Sequence, residues 1–285
     1  MPLWGMGAGT RPAFPATREC HASPGIFASF ACFVGQTDVR LRVLPPPWCL
    51  LAIGVVYLVV MFFGHLPDHL ILFPTRTPIN AGGAVRKTIP FENGQLELWI
   101  AQSQAARSKG NADVYVLRFY GNADRAERWP TEEAEMWNDR AVEIWGINYP
   151  GFGGSTRPAR LSKIGPAALA AFDELRRHAV DRPIVPFGTS IGATAALHVA
   201  AHRPVAGLIL QNPPPLREMI LRRFGWWNLW LLAGPVALQI PKDLDSIENA
   251  KAIHAPAIFL LAEKTKSCRL GITGSWSMLM PARSA

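Results

Sequence analysis

A chain of 285 residues, 49% of them apolar, is long enough to bury a substantial core, which excludes a disordered or fibrous protein. Its 29 Lys and Arg against 21 Asp and Glu leave a net charge of +8, yet charged residues are only 18% of the chain and ten residues are Trp. That is not the Lys/Arg-dense pattern of a nucleic-acid binder, so no nucleic-acid partner is expected, and the basic balance is read as a membrane-proximal surface. The cysteines stand singly at 20, 32, 49 and 268, with no C-x-x-C pair and no clustered histidine, which argues against a disulfide framework or a structural zinc site. No metal is expected.

Residues 1 to 40 are rich in Gly, Pro and Ala and lack periodicity, so the segment 1–42 reads as disordered or as an upstream start-site artefact. From Val43 to Gly64 there is no charged residue, and Trp48 to Phe63 reads WCLLAIGVVYLVVMFF, about the shortest run that spans a hydrocarbon core of roughly 30 Å. Arg40 and Arg42 stand just before it. Basic residues stay cytoplasmic, so the expected topology puts the N-terminus inside and everything after residue 65 outside. A cleaved signal peptide and a buried core helix are the rival readings. The length of the run, the absence of an A-x-A site after it and the residues preceding it favour an uncleaved transmembrane anchor over 43–66.

Past the anchor, strands alternate with helices. Residues 87 to 102 place Asn93-Gly94 between two β-prone runs, a hairpin signal. Val114 to Tyr120 is a nearly continuous apolar run, as in a strand buried on both faces, followed by a helical stretch around Thr131 to Arg140. A strand over Val142 to Asn148, a helix over Gly165 to His178, a short strand over Pro183 to Gly188 and an Ala-rich helix over Ile191 to Ala201 come next. Val205 to Gln211 is a further strand. The stretch 213–241, with Trp226, Trp227 and Trp230, interrupts the alternation as a lid insertion, and a helix near Leu244 to Ala252 and a strand over 257–262 resume it. Such alternation with short links implies an α/β domain over 67–264, a mostly parallel sheet covered on both faces.

One strand-to-helix turn carries the chemistry. Gly188-Thr189-Ser190-Ile191-Gly192 is a G-x-S-x-G between a predicted strand and a predicted helix, the context that a nucleophile elbow requires. The two glycines let strand and helix approach closely around a sharp turn, so Ser190 is held strained with Oγ exposed above the sheet edge. The helix N-terminus adds partial positive charge, and the Ile191 N–H points where an oxyanion would form.

Two more segments complete the pattern: FYGNADRAERW at 119–129 and NYPGFGGS at 148–155, each following a strand. Together with the elbow they resemble the α/β-hydrolase superfamily, and more narrowly its membrane-anchored bud-emergence-type, serine-aminopeptidase-like members. Those members carry an N-terminal anchor, an HGNA-type loop, a DYRGYG-type loop and G-x-S-x-G. The resemblance covers about residues 48 to 264. It implies Ser190 as nucleophile, Ile191 and Asn122 as oxyanion-hole donors, Gly188 and Gly192 as elbow glycines, and hydrolysis of an ester or amide through an acyl-enzyme with no cofactor. The anchor and the tryptophan-rich lid favour an acyl or lipid-like small-molecule substrate.

The departures from that pattern are specific. Tyr120 stands where the family has His, and Asn148 where it has Asp. The resemblance places the triad acid after the seventh strand and the His after the eighth, but Ala262-Glu263-Lys264 is followed by Thr265, and no Asp or His occurs beyond residue 254. His198 is eight residues along the helix from Ser190, about 12 Å away at 1.5 Å per residue, and His202 is farther. His178 and His254 are expected at the opposite sheet edge, and His65 and His69 beside the membrane. Asp124 and Asp243 are candidates for the catalytic face, but an acid without an imidazole does not activate Ser. The tail 265–285 lacks a hydrophobic period and reads as a frameshifted or truncated end, with the last strand and helix missing. The expected protein is therefore a membrane-anchored serine hydrolase impaired by an incomplete triad. A catalytically inactive tethered binding protein and a non-functional gene remnant are the alternatives.

Overall fold

The computed structural model describes residues 46–63, 65–137 and 139–261. Backbone contacts divide the chain into units 1–51 and 52–285, and of the first only the opening residues of helix α1 (Pro47–Phe63) are described. A run of three prolines at 45–47 fixes the start of α1, since proline suits the first helical turn and lacks the N–H that a longer helix would need. Beyond its end, His65 adopts a left-handed backbone (φ 49°) before the short helix α2 (Leu66–Ile71). With 17 residues, α1 is about 26 Å long, below the roughly 30 Å of a hydrocarbon core. Among the described residues no helix is long and apolar enough to cross a membrane. The expected anchor over 43–66 falls partly on residues 43–45 and 64, which lie outside the described residues, as do 1–42 and 265–285.

The domain opens with a hairpin of β1 (Val85–Phe91) and β2 (Gly94–Gln102). Its turn falls one residue earlier than Asn93-Gly94. Phe91 pairs with Gly94, and Glu92 carries the positive φ of 48°. Gly94 is needed for a different reason: a Cβ there would lie 2.5 Å from Thr156 Oγ1, the atom that accepts the Gln95 N–H at 3.0 Å. Helix α3 (Gln104–Lys109), capped by Ser103 through the Ala106 N–H, leads into β3 (Val114–Phe119). Then come α4 (Pro130–Glu135), shorter than the expected 131–140, and β4 (Val142–Asn148), buried at every position.

Helix α5 (Ile164–Ala179), β5 (Ile184–Thr189), α6 (Ile191–His202) and β6 (Leu208–Gln211) continue the alternation. The insertion follows as α7 (Leu216–Phe224) and α8 (Ala233–Leu238), and α9 (Ser246–Lys251) and β7 (Ala257–Leu260) close the described chain. The sheet order is β1-β2-β4-β3-β5-β6-β7. β1 and β2 are antiparallel, β2 is antiparallel to β4, and β4, β3, β5, β6 and β7 run parallel. On one face Leu117, Phe119, Trp145 and Ile147 pack with Phe172 of α5 and Leu197 of α6. On the other, Val116, Val142 and Ile144 meet Ala134 of α4. These two faces are what a near-continuous apolar strand requires.

Beneath the second glycine loop the sheet buries Glu97, Arg125 and Glu127, with the exposed Arg86 reaching in from β1. Arg86 Nε meets Glu97 Oε1 at 2.5 Å, and Arg125 Nη2 meets Glu127 Oε1 at 2.7 Å. Asn148 joins the two pairs, its Nδ2 donating to Glu97 Oε2 at 2.7 Å and Glu127 Oε2 at 2.8 Å while its Oδ1 accepts the Ala126 N–H at 2.9 Å. Burial pushes the Glu97 carboxyl up, but the Gly154 N–H, the Asn148 amide and the Arg86 guanidinium together hold it below the usual carboxylate range. The amide at 148 therefore has a reason: a carboxylate there would face two others with no donor between them. Asn148→Asp is expected to destabilise the protein at neutral pH by about 3 kcal/mol, a fall of roughly 6–12 °C in Tm. The introduced acid would titrate above its unfolded pKa, so the deficit shrinks as pH falls through that raised value. Thermal melts of both proteins at pH 7.5 and 5 check this; a deficit that grows on acidification refutes it.

Candidate active site

Ser190 sits between the last residue of β5 and the first of α6, exposed, with φ 53° and ψ −123°. That backbone is sparsely populated for a residue with a Cβ and costs about 1–3 kcal/mol, so its surroundings must enforce it. They do so by leaving no room. A Cβ on Gly188 would lie 2.3 Å from the Gly192 carbonyl oxygen and 2.4 Å from Ala193 Cα; one on Gly192 would lie 2.3 Å from the Phe119 carbonyl oxygen. The Ser190 N–H donates to the Gln211 carbonyl at 2.9 Å and the Ser190 carbonyl accepts the Ala193 N–H at 2.8 Å. The turn is thus tied to β6 on one side and to its own helix on the other.

Ile191 is the first residue of α6, so its N–H has no partner within the helix and lies at the positive end of the helix dipole. The loop after β3 runs beside the serine: a Cβ on Gly121 would come 3.7 Å from Ser190 Cβ. Asn122 follows. Its side chain is committed elsewhere, with Oδ1 accepting the Phe73 N–H at 2.9 Å and the Ala123 N–H at 3.0 Å and Nδ2 donating to the Ile71 carbonyl. Ser190, Ile191 and the 121–122 loop are therefore neighbours, an exposed hydroxyl with a helix N-terminus and a glycine loop around it. Such a constellation can present a nucleophile and backbone donors to a carbonyl group.

Sequence reasoning missed two features of the site. The first is the strap at 71–73, which the order of the sequence joins to α2 and not to the Asn122 loop. Asp68 fixes that strap from the other side by accepting the Leu161 N–H at 2.7 Å and meeting Arg160 Nη1 at 3.1 Å. The second is the polar layer under the loop. Arg118, in the middle of an apolar strand, meets Glu133 Oε1 at 2.9 Å and stacks 3.8 Å from the Phe187 ring. Tyr120, where the resemblance has His, donates to Glu133 Oε2 at 3.1 Å. Burial raises both the Tyr120 hydroxyl, with Glu133 adding to it, and the Glu133 carboxyl, which Arg118 pulls back down. A lone Arg inside a strand read as buried was the signal for this layer.

The histidines and acids lie elsewhere. Among the described residues no hydrogen bond reaches Ser190 Oγ. His198 is buried, its Nδ1 unpaired, and lines a cavity of about 300 Å³ with His202, Asp243 and Asn249, while burial pulls its imidazole below the usual range. His178 Nε2 meets Glu143 Oε1 at 3.0 Å beside Tyr115 and Trp145, near the starts of β3 and β4 and so at the far sheet edge. His254 precedes β7 at that same edge. Asp124 accepts the Trp129 indole N–H at 2.7 Å, and Asp243 packs where a Cβ on Gly165 would come within 2.6 Å. Among the described residues no group of three or more His, Cys, Asp or Glu is placed to hold a metal ion.

No protein-family model matches the chain. It is 28% identical over 237 residues to an uncharacterized protein of Mycobacterium tuberculosis, covering 78% of this chain and 77% of the relative. Its structure is similar to a Pyrococcus furiosus esterase (TM-score 0.55, 13% identity, 73% of this chain and 83% of the other). It is similar also to the Pyrococcus horikoshii acylaminoacyl peptidase (TM-score 0.53, 13% identity, 69% and 35%) and to the thioesterase domain of the curacin biosynthetic pathway (TM-score 0.51, 17% identity, 70% and 89%). The likeness is one of fold: the chain has the α/β-hydrolase fold.

The tight crossing predicts a contrast between neighbouring glycines. Gly192→Ala forces backbone apart and is expected to cost roughly 3 kcal/mol, a Tm lower by about 6–12 °C. Gly121→Ala, whose Cβ meets ordinary contacts, is expected to stay within about 1 kcal/mol of the parent. Thermal unfolding of the two variants checks this, and equal melting points would overturn it.

Proposed function

We propose that the protein is a serine hydrolase held at a membrane by residues 47–63 that cleaves an ester or amide bond of an acyl or lipid-like substrate through an acyl-enzyme. The observation that carries the reading is the backbone of Ser190, strained at φ 53° and ψ −123° between β5 and α6 with its hydroxyl exposed. Ser190 Oγ would attack the substrate carbonyl. The developing oxyanion would be met by the Ile191 and Asn122 N–H groups, the Oγ proton would pass through solvent to the departing alcohol or amine, and water would then release the acyl group from Ser190 as an acid, returning the proton to Oγ. No step calls for a cofactor. The esterase and thioesterase among the similar structures support acyl chemistry in general. The exposed Trp-rich insertion leaves the sheet at Gln211, whose carbonyl holds Ser190, and this supports an apolar substrate. The narrower kinship with bud-emergence-type hydrolases rests on the order of the three loops together with the apolar helix before them.

The general base is the weak point of this chemistry. With no imidazole hydrogen-bonded to Ser190 among the described residues, the proton of Oγ has no evident acceptor, and a serine without its triad partners retains only about 10³ to 10⁴-fold catalysis over water. That observation favours a second reading, an inactive tethered protein that binds acyl groups without cleaving them.

A fluorophosphonate probe separates the two. Slow labelling that Ser190→Ala abolishes is the expected result, together with p-nitrophenyl ester turnover far below about 1 s⁻¹. Turnover at enzyme-like rates would place a base beside Ser190 and refute the impairment, and labelling that persists in Ser190→Ala would refute the nucleophile. Attachment is tested apart from chemistry. Sodium carbonate is expected to leave the full chain in the membrane pellet, and protease added to intact spheroplasts to degrade the hydrolase domain. A chain washed off by carbonate would exclude an anchor.

A further inference from the structure

The tip of the insertion exposes more apolar surface than a soluble face normally carries. Trp226, Trp227, Leu229, Trp230 and Leu231 are 51–73% exposed in one short turn, and a contiguous patch of this kind marks an interaction site. The exposure is built. Leu229 and Trp230 hold left-handed backbones (φ 50° and 59°), each costing about 1–3 kcal/mol. The Trp230 N–H donates to the Gly225 carbonyl at 2.8 Å, and a Cβ on Gly225 would overlap the Trp230 indole nitrogen at 1.9 Å.

This turn lies against the second half of α1. The Tyr57 hydroxyl donates to the Leu231 carbonyl, and Gln239 Nε2 donates to the Met61 carbonyl at 2.8 Å. Val55, Val56, Val59 and Val60 of the helix are themselves about half exposed, so helix and tip present one apolar surface. Tyr57 stands six residues before Phe63, the end of α1, which is about 9 Å of helical rise. That agrees with the roughly 5–10 Å to which interfacial apolar elements enter the headgroup and acyl boundary. The Tyr57 and Gln239 hydrogen bonds satisfy polar groups that could find no water there.

We propose that residues 224–231 are a second membrane-contacting element, seated in the bilayer beside residues 57–61, with the exposed Arg222 and Arg223 of α7 at anionic headgroups. Tryptophan favours that depth, where its ring is apolar and its N–H stays near water. The two arginines favour an anionic lipid surface over a second copy of this chain, which would bring like charges together. The proposal rests on the reading of α1 as a membrane attachment.

The test uses the full chain with its four cysteines replaced and one introduced, either Trp227→Cys at the tip or Arg177→Cys at the exposed end of α5, each labelled with the fluorophore NBD. Vesicles of phosphatidylcholine with phosphatidylglycerol, with and without brominated acyl chains, are the probe surface. The expected result is blue-shifted emission at 227, about half of it quenched by the brominated lipid, with water-like emission at 177. Adding Arg222→Glu and Arg223→Glu should weaken the quenching in anionic vesicles and leave it unchanged in phosphatidylcholine alone. Protein that stays with carbonate-washed vesicles while the 227 probe remains open to aqueous iodide overturns the proposal and leaves the attachment standing. A probe shielded from iodide yet untouched by brominated lipid overturns it in favour of a second copy. Protein left in the supernatant removes the attachment and the proposal together.

Discussion

Where α6 crosses β5 and β3 there is no space for a side chain. The Gly188 and Gly192 positions face backbone atoms at 2.3–2.4 Å from where a Cβ would stand, and the strained Ser190 between them exists because the two elements meet this closely. Relieving the strain would require the helix to move off the sheet, and its buried face, Ala193, Ala196 and Leu197 among others, opposes that. A few kilocalories of local strain are set against a much larger area of apolar contact. The exposed hydroxyl is a consequence of packing.

The loop beside the serine and the glycine loop after β4 are each held from below by paired charges, most of them buried. Arg118, Glu133 and Tyr120 support the loop after β3, and Arg86, Glu97, Asn148, Glu127 and Arg125 support the glycine loop after β4. Such networks contribute little net stability compared with apolar packing, but losing one member leaves an unpaired buried charge, so each tolerates change poorly. Tyr120 and Asn148, the two departures from the pattern the sequence resembles, fall within these networks. Each makes a hydrogen bond that fits its neighbours: the phenol donates to a carboxylate, and the amide donates to two.

Two peripheral segments are rooted at the same place. The strap at 71–73 closes over Asn122, and the Trp-rich insertion begins next to Gln211, which holds the Ser190 N–H. The strap continues α2, and the insertion touches α1 through Tyr57 and Met61. Elements far apart in sequence thereby couple the apolar helix to the edge of the sheet where the serine stands. A change in the surroundings of that helix has a physical route to the loop at Asn122.

The local pattern of residues determined the alternating elements, the buried parallel strands and the G-x-S-x-G turn, because period, apolar runs and glycine spacing are short-range properties. It placed the hairpin turn one residue late, because Gly94 answers to Thr156, far along the chain, and not to the turn. It read the apolar run as a helix, and α1 forms over Pro47–Phe63 within that run. What Arg118 pairs with and what lies over Asn122 were decided only by the tertiary structure. Each depends on contacts between segments distant in the chain, and a side chain's type states its need for a partner without stating which partner meets it.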